Sequence, residues 1–391
     1  MGAVQLAGVT KHYGSKVGIE DLSLDVADSE FFVILGPSGA GKTTTLKSVA
    51  GLVEIDRGDV VIAGRGMTGV EPYHRGVAMA FESYALYPQK TVFQNLSSPL
   101  QSGRTGRYSD EEQQRRIDLV TTTLGINHLL KRFPRELSNG QRQRVALGRV
   151  LVRPADVYLL DEPLSHLDAK LRAAMRAELK QLGSMSNTTS LYVTHDYQEA
   201  LSLGDRIAVL RAGRLVQVGT PQQVWHEPVD SFVAKALGQP EINMIQAVVD
   251  GGRLRAADGA IELAVPPLDL STGQRVRLGI RPRDVEVVRA GRGGDGWLRM
   301  SGQVRLAERL GRQVELDVRV GGVDLIAVDA AVQNADEGQQ VDLQVPLQHV
   351  HVFADGAEGE DTARLGSALA ASSPVVPNGR PLPASHHQEQ R

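Results

Sequence analysis

The sequence predicts an α/β domain built on a doubly wound sheet, followed by a smaller all-β domain. Three observations carry this. Phe31–Leu35 is a short apolar run, followed by a glycine-rich turn and by a breaker-free stretch, Thr45–Ala50, with helical spacing. Further compact apolar runs, Val157–Leu160 and Leu191–Thr194, are separated by a segment whose Leu171, Met175, Leu179 and Leu182 mark one helix face. Beyond Gly238-Gln239-Pro240 the helical spacing stops, and runs such as Val276–Ile280, Val285–Val288, Val314–Val320 and Val341–Val345 alternate. Half-buried strands of a small antiparallel barrel read this way.

Length and composition agree with two domains. The chain has 391 residues, 41% of them apolar and 23% charged, as in ordinary globular proteins. A net charge of −3 gives no global pull onto nucleic acid or anionic lipid. With no cysteine there is no disulfide, thiolate zinc site or cysteine nucleophile. No signal-peptide pattern opens the chain, Leu6 breaks the myristoylation pattern, and no apolar run approaches a membrane span. A role at a membrane would therefore rest on other chains.

The turn after the first buried run is Gly36-Pro37-Ser38-Gly39-Ala40-Gly41-Lys42-Thr43-Thr44. Strand, glycine-rich turn and helix start together make a phosphate-binding loop. Glycines let successive N–H groups point inward as a nest, and the helix N-terminus adds unpaired donors and partial positive charge. Lys42 can reach the outer phosphates, and the Thr43 hydroxyl suits a magnesium ion that also touches them.

In chain order, Val4, Leu6 and Val9 begin one strand, and Leu22, Leu24 and Val26 alternate in another. Between them Tyr13, beside Gly14, is expected in a loop where it could stack on a base. Glycines 51, 58, 64, 66 and 69 surround Val60-Val61-Ile62 and read as short strands and turns. Val77–Phe81 is a buried-strand candidate that ends at Glu82, and Ser83–Pro88 reads as a partner-facing loop. Residues 110–152 look helical, with an acidic first turn at Asp110–Glu112 and breaks at Gly125 and Pro134. Ser138 is an N-cap with Gln141 as capping-box partner, which is a complete structural reading by itself.

Val157–Leu160 ends at Asp161-Glu162. Two carboxylates at the end of a buried strand are costly without a cation or proton traffic. Beside a phosphate loop, Asp161 would support magnesium and Glu162 would orient or deprotonate the attacking water. His195 ends the strand Leu191–Thr194, at the sheet edge where ligands gather. From about residue 357 the chain is small and polar and reads as disordered, His386-His387 included.

Together these segments resemble the ATP-binding subunit of an ABC transporter, of the importer subfamily that energises uptake of maltose, other sugars or polyols. The resemblance spans roughly residues 3–356. Gly36–Thr43 is similar to Walker A and Val157–Glu162 to Walker B. Leu137–Ala146 resembles the Leu-Ser-Gly-Gly-Gln signature, Asp161–Asp168 resembles Walker B running into the D-loop, and Val193–Asp196 the switch-histidine motif. Ser83–Pro88 resembles the Q-loop neighbourhood of sugar importers. Gly279–Pro282 and Gly238–Ile245 resemble their oligobinding-like (TOBE-type) regulatory domain.

The resemblance implies an ABC ATPase domain over 1–237, with a helical subdomain at about 85–155, a regulatory β-barrel over 238–356 and a tail over 357–391. It implies ATP and Mg2+. Two chains, identical or different, would sandwich two ATP molecules. Gly36 to Thr44 of one chain would face Ser138, Asn139, Gly140 and Gln141 of the other, with Asp168 in the D-loop. Tyr13 would stack on adenine, Glu162 would act as base, His195 would contact the γ-phosphate, and Thr43, Glu82 and Asp161 would serve the metal. Two permeases and an extracytoplasmic solute-binding protein would complete an importer at the cytoplasmic face of the membrane.

Two positions depart from the family pattern. Glu82 stands where the Q-loop has glutamine, which removes an amide donor and adds charge. Asn139 stands at a signature glycine. Both raise a mainly regulatory partner of a second ATPase as an alternative. A nucleic-acid-directed ABC ATPase is the other. Against it, residues 240–356 hold 13 Arg and no Lys against 17 Asp and Glu, with Trp297 and Phe353 as aromatics. Single-strand binding asks for a basic groove and stacking platforms. The guanine motif Asn-Lys-x-Asp is absent, which argues against a GTPase.

Overall fold

A computed structural model of the chain describes residues 3–81, 86–101, 108–165, 167–186, 188–288, 296–311, 313–329, 335–357 and 359–369, with the side chains of 181–186 left aside. Glu82, Ser83–Ala85, His166 and the segment 370–391 with His386-His387 lie outside the described residues. The chain divides into two compact units after Pro221.

The first unit opens with the hairpin β1 (Val4–Tyr13) and β2 (Lys16–Val26). In β2, Leu22, Leu24 and Val26 are buried while Asp21, Ser23 and Asp25 face out, the period-2 signature of a sheet with one wet face. Tyr13 is the last residue of β1, not a loop residue. Next come β3 (Phe31–Leu35), α1 (Lys42–Ala50), β4 (Arg57–Ile62), β5 (Arg65–Gly66) and β6 (Val77–Ala80). Strands β2-β1-β4-β5 form one sheet. The strand at 77 ends before Phe81, which is exposed rather than buried.

Three helices follow: α2 (Val92–Gln101), α3 (Asp110–Thr123) and α4 (Asn139–Leu151). Leu96, Leu100, Ile117, Val120, Leu124, Val145 and Leu147 bury their inner faces. A Cβ on Gly148 would lie 3.2 Å from Leu96 and Leu124 side-chain carbons, so the absent side chain lets the helices close up.

The remaining elements of this unit are β7 (Val157–Asp161), α5 (Ala169–Ser186), β8 (Thr189–Thr194), α6 (Tyr197–Leu203), β9 (Arg206–Arg211) and β10 (Arg214–Gly219). They complete a sheet of order β10-β9-β3-β8-β7-β6, parallel except for the β9–β10 hairpin. Every residue of β3, β7 and β8 is buried, as strands covered on both faces must be. Leu35 pairs with Thr194 and Asp161 with Val193. That register brings the chain after β3, β7 and β8 to one edge of the sheet.

The second unit begins with two short helices, α7 (Pro221–His226) and α8 (Ser231–Ala236). Its strands are β11 (Asn243–Asp250), β12 (Arg253–Ala256), β13 (Ile261–Ala264), β14 (Arg275–Ile280), β15 (Glu286–Val287), β16 (Trp297–Leu310), β17 (Gln313–Val320), β18 (Val323–Asp329), β19 (Gln340–Pro346), β20 (Val350–Ala354) and β21 (Arg364–Ser367). They pair as two antiparallel sheets, β13-β12-β11-β14-β20-β21 and β15-β19-β16-β17-β18, rather than as one closed ring. Ile245, Leu254, Val276 and Leu278 of the first share a core with Leu298, Leu316, Leu325 and Leu343 of the second. Alternation marks each strand but not its partners, so two sheets and a barrel look alike in sequence. Strand β21 also corrects the expected tail: Arg364–Ser367 pair with β20, and Ala368 is buried.

Helices α7 and α8, expected in the first domain, are tied to this unit by Arg281. Its Nη1 donates to Ala234 O (3.1 Å) and Leu237 O (2.8 Å), its Nη2 to Trp225 O (2.9 Å), and the guanidinium lies 3.9 Å from the Trp225 ring centre. Arg281 is 2% exposed. Arg281→Met is expected to cost about 3 kcal/mol, because the carbonyls lose a charged donor in a dry site. Thermal unfolding of the full chain checks this, and an unchanged melting profile would contradict it.

Candidate nucleotide site

The turn between β3 and α1 needs glycine for stated reasons. Gly39 and Gly41 have φ of 79° and 99°, where L side chains are strained. A Cβ on Gly41 would sit 2.5 Å from Gly18 O, and one on Gly36 would sit 2.5 Å from Leu210 O. Gly41 is the N-cap of α1 and offers no capping side chain, and no acidic residue lies in the first turn. The first-turn amides and the positive end of the helix are thus left to whatever enters the turn. The other end of α1 is closed by Gly51, and by Arg75 Nη1, which donates to Ser48 O and Val49 O.

Around this turn opens a cleft of about 980 Å3 lined by Tyr13, Lys16, Val17, Gly18, Pro37, Ser38, Gly39, Gly41, Lys42, Thr43, Thr44, Lys47, Glu162 and His195. Three lysines face one carboxylate, an electrostatic balance that favours a polyanion. Tyr13 is half exposed at its rim, against Gly18. Lys42 is buried, and its Nζ donates to Gly36 O (2.8 Å) and Pro37 O (2.9 Å).

Glu162 lies between a lysine and a histidine. Its Oε1 is 3.6 Å from Lys42 Nζ, and its Oε2 is 2.8 Å from His195 Nδ1. A carboxylate only accepts, so Nδ1–H is the donor. The Glu162 backbone has φ of 45°, uncommon for a residue with a side chain, and is held by Glu162 N–H donating to Val193 O (3.0 Å). One residue earlier, the Thr43 hydroxyl donates to Asp161 Oδ1 (2.9 Å), and Asp161 is 5% exposed. Among the described residues no set of three acidic or histidine ligands could cage a metal. One buried carboxylate beside one hydroxyl is nevertheless a donor set for magnesium that takes its other oxygens from phosphate and water.

Ser138, Asn139, Gly140, Gln141 and Asp168 do not line this cleft. Ser138 caps α4, its Oγ accepting from Gln141 N–H while Gln141 Oε1 accepts from Ser138 N–H. Arg142 donates to the Asn139 side-chain oxygen. Asp168 Oδ1 accepts from Leu171 N–H at the start of α5. Sequence reasoning missed Lys16, Val17, Gly18 and Lys47; only their nearness to Tyr13 and to the glycine-rich turn could have flagged them.

A model of the ABC transporter family matches residues 19–165, and one of the TOBE domain matches residues 278–353. The trehalose/maltose import ATP-binding protein MalK of Thermococcus litoralis is 41% identical over 90% of this chain and 98% of its own length. The chain belongs to the ABC transporter ATP-binding proteins. Others similar to it are the xylose/arabinose import ATP-binding protein XacK of Haloferax volcanii, 40% identical over 92% of this chain and 95% of its own, and the sn-glycerol-3-phosphate import ATP-binding protein UgpC of Chromohalobacter salexigens, 40% identical over 95% of this chain and 100% of its own. A solved dimeric structure of the ABC transporter cassette MJ0796 covers 56% of this chain at 28% identity with a TM-score of 0.52. A second is a post-hydrolysis state with ADP and Pi, at 29% identity and the same TM-score. This chain is therefore an ABC-type ATPase that binds adenine nucleotide through its first unit and carries a TOBE domain in its second.

Proposed function

We propose that the chain is the ATP-hydrolysing subunit of an importer for a carbohydrate-type solute: a sugar, a polyol or glycerol phosphate. The observation that carries this is its co-linearity, across both units, with import ATP-binding proteins for such solutes. Among the described residues no helix is long and apolar enough to cross a membrane. The passage would belong to two permease chains, with an extracytoplasmic binding protein delivering the solute and this chain peripheral on the cytoplasmic face.

ATP enters the cleft with its phosphates on the first-turn amides of α1 and its adenine on Tyr13. Lys42 neutralises the outer phosphates. Thr43 and Asp161 would hold Mg2+, with Glu82 proposed as a further ligand, and the ion would supply charge neutralisation to the phosphates when bound. Glu162 accepts the proton of the attacking water, and His195 orients that carboxylate and reaches the γ-phosphate. A second chain brings its Ser138–Gln141 and Asp168 against the nucleotide. Their position away from the chain's own cleft suits that division of labour. Closure of the two chains moves the permeases.

The test is reconstitution of the full chain in vesicles with its permease partners, measuring ATP hydrolysis while sugars, polyols and glycerol phosphate are offered through the binding protein. Stimulation by one of these is expected. Stimulation only by a peptide, an inorganic ion or RNA would overturn the proposed cargo class.

A further inference from the structure

The hydrogen bond between Glu162 and His195 joins two turns that are 33 residues apart in the chain, and while the Glu162 side chain is mostly covered, that of His195 is not. His195 is 61% exposed. The pairing of Asp161 with Val193 and the Glu162 N–H bond to Val193 O set the two strand ends side by side; beyond the strands, Arg172, in the first turn of α5, touches the turn after each. Its Nη2 donates to Leu167 O (3.1 Å), in the turn that follows Glu162. Its Nη1 donates to Asp196 Oδ2 (3.1 Å), on the residue directly after His195. Its Nε lies 4.0 Å from Glu199 Oε1.

Each anchor is itself fixed. The Leu167 turn is closed by Ser165, whose N–H and Oγ both donate to Glu162 O. Asp196 caps α6 through Gln198 N–H and Glu199 N–H. Glu199 is 3% exposed and accepts from the hydroxyls of Tyr192 (2.8 Å) and Thr194 (2.7 Å), and Asp196 N–H donates to that same Thr194 hydroxyl. His195 thus sits between two residues of a part-buried hydrogen-bond network that ends on Arg172.

We propose that Arg172 is a positioning residue that holds the Glu162–His195 pair in register by fastening the turn after Glu162 to the turn after His195. It touches neither reacting group. A guanidinium suits this because its planar fork serves a carbonyl and a carboxylate at a fixed angle, whereas an ammonium is a point charge on a flexible stem. The inference rests on the proposed role of Glu162 as base.

The test uses the full-length chain and its Arg172→Lys, Arg172→Met, Asp196→Asn and Arg172→Met/Asp196→Asn variants, with Glu162→Gln as reference. Hydrolysis is followed over ATP concentration, ATP binding by equilibrium titration, and folding by thermal melting. Arg172→Met is expected to lower kcat roughly tenfold while KM and ATP affinity stay within about twofold. Arg172→Lys should recover part of the loss. The double variant should cost no more than Arg172→Met alone, because both changes cut one connection. Should Arg172→Met fail to fold, Arg172→Lys and Asp196→Asn carry the test with the same split between kcat and KM. Wild-type kcat in these variants, or losses that simply multiply in the double variant, would overturn the inference while an inactive Glu162→Gln leaves the base in place. Full turnover by Glu162→Gln would remove the base and the inference together.

Discussion

Glu162→Gln is expected to lower ATP turnover roughly a hundredfold to ten-thousandfold, the usual contribution of a positioned general base, while ATP remains bound. Glutamine keeps the length and the acceptor oxygen of the side chain. The 2.8 Å bond from His195 Nδ1–H can therefore persist, and the φ of 45° at residue 162 is unaffected. What is lost is basicity toward the attacking water, and with it the negative charge 3.6 Å from Lys42. Removing that charge takes a competing anion away from the lysine, so affinity for the triphosphate should hold or rise. Single-turnover hydrolysis and retention of labelled ATP on the full-length variant check both halves. Wild-type turnover would remove Glu162 from the role of base, and loss of binding would show that it acts mainly in holding the nucleotide.

Gly41→Ala is expected to weaken ATP binding at least about tenfold and to lower the melting temperature. Two costs add. A residue with a side chain at φ of 99° stores about 1–3 kcal/mol of strain. Its Cβ would also meet Gly18 O at 2.5 Å and Ile19 Cγ2 at 2.9 Å, and backbone cannot step aside as a side-chain tip can. The chain must shift at the start of α1, where the first-turn amides are aimed. Gly39→Ala makes the comparison. Its φ of 79° carries similar strain, but no atom lies within 4 Å of the new Cβ, so its melting temperature should fall less. Equal melting and equal ATP affinity for Gly41→Ala and the parent chain would contradict the account of this turn.

The phosphate turn was legible because its signals are local. An apolar run, glycines at fixed offsets and a helix start all fall between Phe31 and Ala50. Asp161-Glu162 was legible for the same reason, as two charges at the end of an apolar run. The Glu162–His195 contact was not, since it depends on β7 and β8 being neighbours in the sheet, an order that no local pattern encodes. Arg172 was hidden more deeply. In an amphipathic helix an arginine reads as an ordinary solvated charge, and only the fold brings it to Leu167 and Asp196. In the second unit, alternation identified most strands but gave no partners, so a barrel was expected where two sheets form. Helices α7 and α8 read as part of the first domain because helical spacing continues to Gly238; the grip of Arg281 on their carbonyls comes from a residue far along the chain.

Equilibrium binding of ATP in magnesium buffer to the full-length chain, compared with Lys42→Ala, tests the central claim most directly. The account predicts saturable binding by the parent chain and its loss in the variant, because the Lys42 ammonium is the charge held at the mouth of the glycine-rich turn. No binding with Lys42 in place, or equal binding without it, would contradict the claim that this turn grips the triphosphate.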